Sequence, residues 1–118
     1  MNRLDYLQSV IDSQKSPIEV FMQMQEDPES AVIVDVRIGD KQFLKEKVLN
    51  AKEIPLDELG GRLADLDKSR QIYVTTWNSS CTLAKQASIM LINSGFNVLE
   101  LAGGNEAWNA QGLPMVEV

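Results

Sequence analysis

The hydrophobic residues of this chain occur in two patterns, short continuous runs and repeats at helical spacing. The two patterns alternate along most of its length. Continuous apolar runs predict strands near residues 31–36, 72–76 and 97–101, with a shorter strand near 51–54. Helical spacing or helix-start residues predict helices near residues 4–11, 17–25, 39–47, 55–66, 81–93 and 105–111. Because strands alternate with helices, we expect an α/β fold with a mainly parallel central sheet and helices on both faces.

Polar and glycine residues mark where several of these helices begin and end. Ser16, Pro17 and Glu19 form a capping-box pattern at the start of the second helix. Gly60 and Gly61 interrupt and weaken the helix expected over 55–66. At 118 residues the chain has the length of one domain. We therefore predict an additional N-terminal helix over residues 1–15, with an apolar face that needs a partner, and a single domain over 16–118.

The charge balance and residue composition remove several classes of function. Eleven basic and seventeen acidic residues give a net charge of −6 with no basic cluster, so neither nucleic acid nor an anionic membrane is an expected partner. The single cysteine and the absence of a signal-peptide pattern predict a cytoplasmic protein. Histidine is absent, which excludes Cys-His dyads, Ser-His-Asp triads and histidine-based metal sites. We predict no metal and no cofactor, and the sequence leaves the oligomeric state open.

The only cysteine lies in a segment between a predicted strand and a predicted helix, residues 75–81. Ser79 or Ser80 is expected to cap that helix, which would place Cys81 at its first position among unpaired N–H groups. The positive end of a helix dipole favours a thiolate there. In parallel sheets, ligands bind beyond the carboxyl ends of the strands, where this loop lies. We therefore expect any chemistry to occur at this loop.

Three separated motifs resemble the rhodanese-like, single-domain sulfurtransferases, over about residues 16–116. The motifs are Val34-Asp35-Val36-Arg37, Ala51 with Ile54-Pro55-Leu56-Asp57-Glu58-Leu59, and Gly103-Gly104-Asn105-Glu106-Ala107-Trp108. The resemblance implies a rhodanese-like fold and a sulfurtransferase that carries sulfane sulfur as a persulfide on a cysteine at the end of the fourth core strand. It also implies a small sulfur donor and a thiol acceptor as partners.

The chain departs from the family pattern at the residue that carries the chemistry. Thr76 occupies the position of the family's cysteine, in a loop resembling a subgroup with a Cys-Trp-x-x-x-Cys pattern in which only the first cysteine has been replaced. Trp77 and Cys81 match that pattern, so Cys81 becomes the candidate nucleophile. A second departure lies at residues 46–51, where the family's usual glycines and histidine are missing.

Each candidate site residue also has a structural interpretation. Cys81 is either a persulfide carrier or a small buried apolar residue. Thr76 has no general base and is expected to form hydrogen bonds within the loop, while Trp77 is either a lip of the site or an aromatic residue at the edge of the core. Asp35 and Arg37 are expected to support the loop through hydrogen bonds or an ion pair. The remaining loop residues expected to bind substrate or an anion are Asn78, Ser79, Ser80 and Thr82.

A Cys-x5-Arg phosphatase is excluded, because Ala87 stands six residues after Cys81 and no arginine follows Arg70. Two functions remain. The first is a sulfurtransferase that uses Cys81, and the second is a catalytically inactive rhodanese-like module that binds a protein partner or a small anion.

Overall fold

The computed structural model describes residues 1–118 and has the expected α/β architecture, with a mainly parallel sheet between two layers of helices. The helices are α1 Arg3–Asp12, α2 Pro17–Glu26, α3 Lys41–Leu44, α4 Leu56–Leu59, α5 Leu83–Asn93 and α6 Gly104–Ala110, with a short 3-10 helix at Leu63–Asp65. The strands are β1 Gln14–Lys15, β2 Ala31–Asp35, β3 Glu46–Val48, β4 Lys52–Glu53, β5 Gln71–Thr75, β6 Val98–Leu101 and β7 Met115–Glu117.

Five strands form the central sheet in the order β1-β6-β5-β2-β4, and every neighbouring pair is parallel. The two longest strands, β2 and β5, pair along their full length, with Asp35 opposite Thr75 at their carboxyl ends. Both strands are almost continuously apolar because side chains on both faces of the sheet are buried. The residues that follow β5 therefore lie next to Asp35, at the carboxyl ends of the inner strands.

Each face of the sheet carries its own apolar core. One core contains Ala84, Ala87 and Leu91 of α5. The other contains Val20 of α2 and Trp108 of α6, and Trp108 is 2% exposed, as its position in the helical pattern predicts. The Trp108 ring N–H donates a hydrogen bond to the Pro114 carbonyl at 2.8 Å, which satisfies the one polar group of this side chain.

Three features of the fold differ from the sequence-based expectations. The helix expected over 55–66 is broken into α4 and the 3-10 helix, because Gly60 and Gly61 disfavour its continuation. An antiparallel pair, β3 with β7, occupies the region where the family's glycines and histidine are missing. In addition, β1 follows α1 directly and extends the sheet edge beside β6.

The N-terminal helix α1 is present, but none of its residues is buried. Leu4, Leu7 and Ile11 on its apolar face are 74%, 51% and 65% exposed. The strand β1, and not α1, pairs with the edge strand β6. Most of the apolar face of α1 is therefore left uncovered by the rest of the chain, and only Val10 on this face is half-buried. None of the six helices is long and apolar enough to cross a membrane.

Candidate functional site

The loop between β5 and α5 lies at the carboxyl end of the central strand, as expected for a ligand site in a parallel sheet. Thr76 is the first residue after β5 and is only 1% exposed. Cys81 is partly exposed, and its Sγ atom lies 3.1 Å from Thr76 Oγ1. The sulfur therefore points back to the end of β5, towards Thr76. The resemblance places a catalytic cysteine at this position.

A local turn at Asn78 determines how the chain reaches Cys81. The Asn78 side-chain oxygen accepts hydrogen bonds from the Ser80 N–H at 3.1 Å and from the Ser80 hydroxyl at 2.7 Å. The Asn78 carbonyl accepts a hydrogen bond from the Cys81 N–H at 3.2 Å. Asparagine is favoured in such turns because its short side chain replaces a backbone acceptor. The turn reverses the chain and brings position 81 back beside position 76.

The expected helix start is wrong by two to three residues. Helix α5 begins at Leu83 after Thr82, and neither Ser79 nor Ser80 is its N-cap. The Ser80 N–H and hydroxyl are already bound to Asn78, so Ser80 takes part in the turn instead of a cap. Cys81 thus precedes the helix, and its own N–H is bound to the Asn78 carbonyl instead of being unpaired.

Backbone hydrogen bonds from the start of α6 hold the first half of the loop. The Asn105 N–H donates to the Thr76 carbonyl at 2.8 Å, and the Glu106 N–H donates to the Trp77 carbonyl at 3.0 Å. This close approach requires glycine at position 104, because a Cβ atom there would lie 2.5 Å from the carbonyl oxygen of Thr76. Gly104 also has a φ of +62°, which favours glycine on conformational grounds. The Gly103-Gly104 motif therefore sets the position of the loop.

Asp35 and Arg37 form a buried ion pair beneath the loop. Arg37 Nη2 lies 2.9 Å from Asp35 Oδ2, and neither residue is more than 5% exposed. The same guanidinium donates to the Leu44 and Glu46 carbonyls and lies 4.5 Å from the centroid of the Trp77 ring. Arg37 is thus occupied by protein groups, and it holds Trp77 through a cation–π contact.

Asn105 is a site residue that the sequence analysis did not single out. It is 5% exposed, and its side chain lies between the ends of β5 and β2. Its Oδ1 atom accepts a hydrogen bond from Thr75 Oγ1 at 2.7 Å, and its Nδ2 atom is 3.4 Å from Asp35 Oδ2. The sequence feature that could have identified Asn105 is its position directly after the Gly103-Gly104 pair. A buried amide at this position can connect two strand ends.

The structure separates the predicted loop residues into two groups. Cys81, Thr76, Trp77 and Asn78 are buried or partly buried around the turn, whereas Ser79, Ser80 and Thr82 are exposed. A cleft of about 390 Å³ opens beside Trp77 and Asn78, on the side of Phe43 and Asn109. Cys81 does not line this cleft, although it is partly exposed.

Comparisons with known proteins give one family model and several similar proteins and structures. The family model for the rhodanese-like domain matches residues 18–111. A sulfurtransferase of Allochromatium vinosum is 29% identical over 91 residues, which cover 76% of this chain and 82% of that protein. The crystal structure of a full-length Lactobacillus plantarum protein superposes with a TM-score of 0.93 at 28% identity and covers 98% of this chain and 97% of that one. The rhodanese-like domain of an Anabaena protein, solved by NMR, has a TM-score of 0.75 at 29% identity and covers 90% and 80% of the two chains.

Proposed function

The chain belongs to the rhodanese-like domain family, and from this premise we propose that it is a sulfurtransferase in which Cys81 carries sulfane sulfur as a persulfide. The observation that supports the proposal is the position of the Cys81 sulfur, 3.1 Å from the side chain of Thr76. The resemblance places the family's cysteine at the position of Thr76. The turn at Asn78 thus returns a sulfur atom to the strand end from five residues further along the chain.

The proposed reaction needs only one cysteine and no metal ion. The Cys81 thiolate attacks the outer sulfur of thiosulfate, the S–S bond of thiosulfate breaks, and sulfite leaves with the electron pair. The product on the protein is a persulfide anion. A nucleophilic acceptor, either a thiolate or cyanide, then attacks the terminal sulfur, takes it as a persulfide or thiocyanate, and releases the Cys81 thiolate. No net oxidation of the protein occurs in the cycle.

The test is the formation of thiocyanate from thiosulfate and cyanide by the wild-type protein and by the Cys81→Ser variant. We expect turnover by the wild type, and only the uncatalysed rate with Cys81→Ser, because a serine hydroxyl without a base does not replace a thiolate. Mass spectrometry of the wild type after incubation with thiosulfate is expected to give an adduct of about 32 Da that dithiothreitol removes. Uncatalysed rates for both proteins, together with no adduct, would contradict the proposal.

The alternative is a catalytically inactive rhodanese-like module that binds a protein partner or a small anion. The specific observation that favours a binding role is the largely exposed apolar face of α1, with Leu4, Leu7 and Ile11. Exposed apolar patches of this kind commonly contact other proteins. Under this alternative, the wild type and Cys81→Ser both form thiocyanate only at the uncatalysed rate. The thiosulfate experiment therefore distinguishes the two functions.

A further inference from the structure

The hydroxyl group of Thr76 is buried and has one hydrogen-bond partner, the sulfur of Cys81. Thr76 is 1% exposed, so water does not satisfy this hydroxyl. Its neighbour Thr75 is equally buried but directs its hydroxyl to Asn105 Oδ1, and the Thr76 carbonyl is bound to the Asn105 N–H. The Oγ1 atom of Thr76 is therefore committed to Cys81 Sγ, at 3.1 Å.

We propose that the Thr76 hydroxyl donates a hydrogen bond to the Cys81 thiolate and thereby makes Thr76 a catalytic residue of the sulfurtransferase proposed above, on which this inference rests. A thiolate has no proton, so in that state the hydroxyl must be the donor. The resemblance places a nucleophilic cysteine at position 76. In this chain Thr76 occupies that position and donates a hydrogen bond to the nucleophile, Cys81.

The local structure favours this role for threonine over other small residues. The branched Cβ atom of threonine restricts its χ1 angle, so few directions are open to the hydroxyl oxygen. The Cys81 N–H is bound to the Asn78 carbonyl and does not reach the sulfur as a donor in its place. Lys85, the first cation after Cys81, is paired with Glu100 at 3.1 Å. Thr76 is therefore the hydrogen-bond donor that the structure places next to the sulfur.

The proposal is tested by the rate at which iodoacetamide alkylates Cys81, which is the only cysteine and gives an unambiguous signal. Alkylation requires the thiolate, and hydrogen bonds to charged groups are the strong ones, so we expect Thr76→Val to slow alkylation roughly tenfold at pH 7. Thr76→Ser, which keeps the hydroxyl, is expected to remain within about twofold of the wild type.

A purely structural role for Thr76 would give a different result. If loosening of the loop were the only effect, Thr76→Val would expose the sulfur and alkylate at least as fast as the wild type at pH 7, which would overturn the proposal. Thr76→Ala is the second variant if the valine protein does not fold, with the same expected direction. Alkylation needs no sulfur donor, so a failure of the thiosulfate assay and a failure of this test are separate outcomes.

Discussion

At the scale of single residues, Gly104 controls the contact between α6 and the loop. Replacement by alanine would place a Cβ atom 2.5 Å from the carbonyl oxygen of Thr76 and 3.1 Å from the backbone nitrogen of Asn78, at a φ of +62°. We expect Gly104→Ala to lower the free energy of unfolding by about 2–4 kcal/mol, from left-handed strain together with the backbone clash. Urea unfolding followed by circular dichroism measures this change.

Gly112 provides a matched control for that substitution. Its φ of +73° is nearly the same, but nothing lies within 4 Å of the position of its Cβ atom. Gly112→Ala should therefore show only the conformational cost, about 1 kcal/mol. Equal losses for the two variants would mean that the approach of Gly104 to Thr76 is not tight.

The proximity of Thr76 and Cys81 also predicts the result of restoring a cysteine at position 76. Because Oγ1 and Sγ are 3.1 Å apart, the sulfur atoms of a Thr76→Cys variant would lie within reach of each other. We expect mild oxidation with diamide to close a 76–81 disulfide, detected as the loss of both free thiols and reversed by dithiothreitol. Thr75→Cys is the control, because the hydroxyl of Thr75 points to Asn105, and this variant should keep both thiols free.

Apart from Asn105, the residues of this site could be identified from the sequence, but the directions of their side chains could not. The motifs and the strand-to-helix transition were sufficient to place Thr76, Cys81 and Trp77 in one loop. The direction of the Cys81 sulfur depends on the Asn78 turn, in which one side chain accepts two hydrogen bonds from Ser80. That pairing competes with the capping role that a serine before a helix usually has, so local sequence preference alone favoured the wrong helix start.

At the scale of elements, the start of α2 shows how a short polar motif fixes a helix. The Ser16 side chain accepts from the Glu19 N–H at 3.4 Å and donates to the Glu19 carboxylate at 2.7 Å. We expect Ser16→Ala to lower the free energy of unfolding by about 1 kcal/mol. Asp40, the N-cap of α3, makes no side-chain cap bond, so Asp40→Ala should cost much less in the same urea titration. A smaller loss for Ser16→Ala than for Asp40→Ala would contradict this account.

Length distinguishes most of the elements that the sequence predicted from those that it missed, although the two-residue strand β4 was predicted near residues 51–54. The long helices α2 and α5 and the buried strands β2, β5 and β6 carry enough apolar residues for their period to be recognised. β1, β3 and β7 have two or three residues each, and so short a segment has no measurable period. They form because partner strands supply hydrogen bonds, as when Glu46 to Val48 pairs with Met115 to Glu117.

At the scale of the whole molecule, two buried cores on opposite faces of one sheet explain why β2 and β5 are apolar throughout. Tyr73 of β5 is the largest side chain that is fully buried, and it belongs to the core that contains Val20 and Trp108. Its hydroxyl donates a hydrogen bond to Gln23 Oε1 of α2. This bond links α2 directly to the central strand β5.

Burial, with a smaller effect of the Glu19 carboxylate, raises the pKa of Tyr73 above its usual value of 10.0. The unfolded chain then loses its phenol proton at a lower pH than the folded protein does, so the free energy of unfolding falls as the pH rises above about 10. We expect Tyr73→Phe to be less stable than the wild type at pH 7 by about 1 kcal/mol, through the lost bond to Gln23, but to decline less steeply with alkaline pH. Urea titrations from pH 7 to pH 11 measure both effects. Tyr6→Phe is the control, because Tyr6 is 57% exposed, and an unchanged alkaline slope in Tyr73→Phe would show that this buried phenol is not the group responsible.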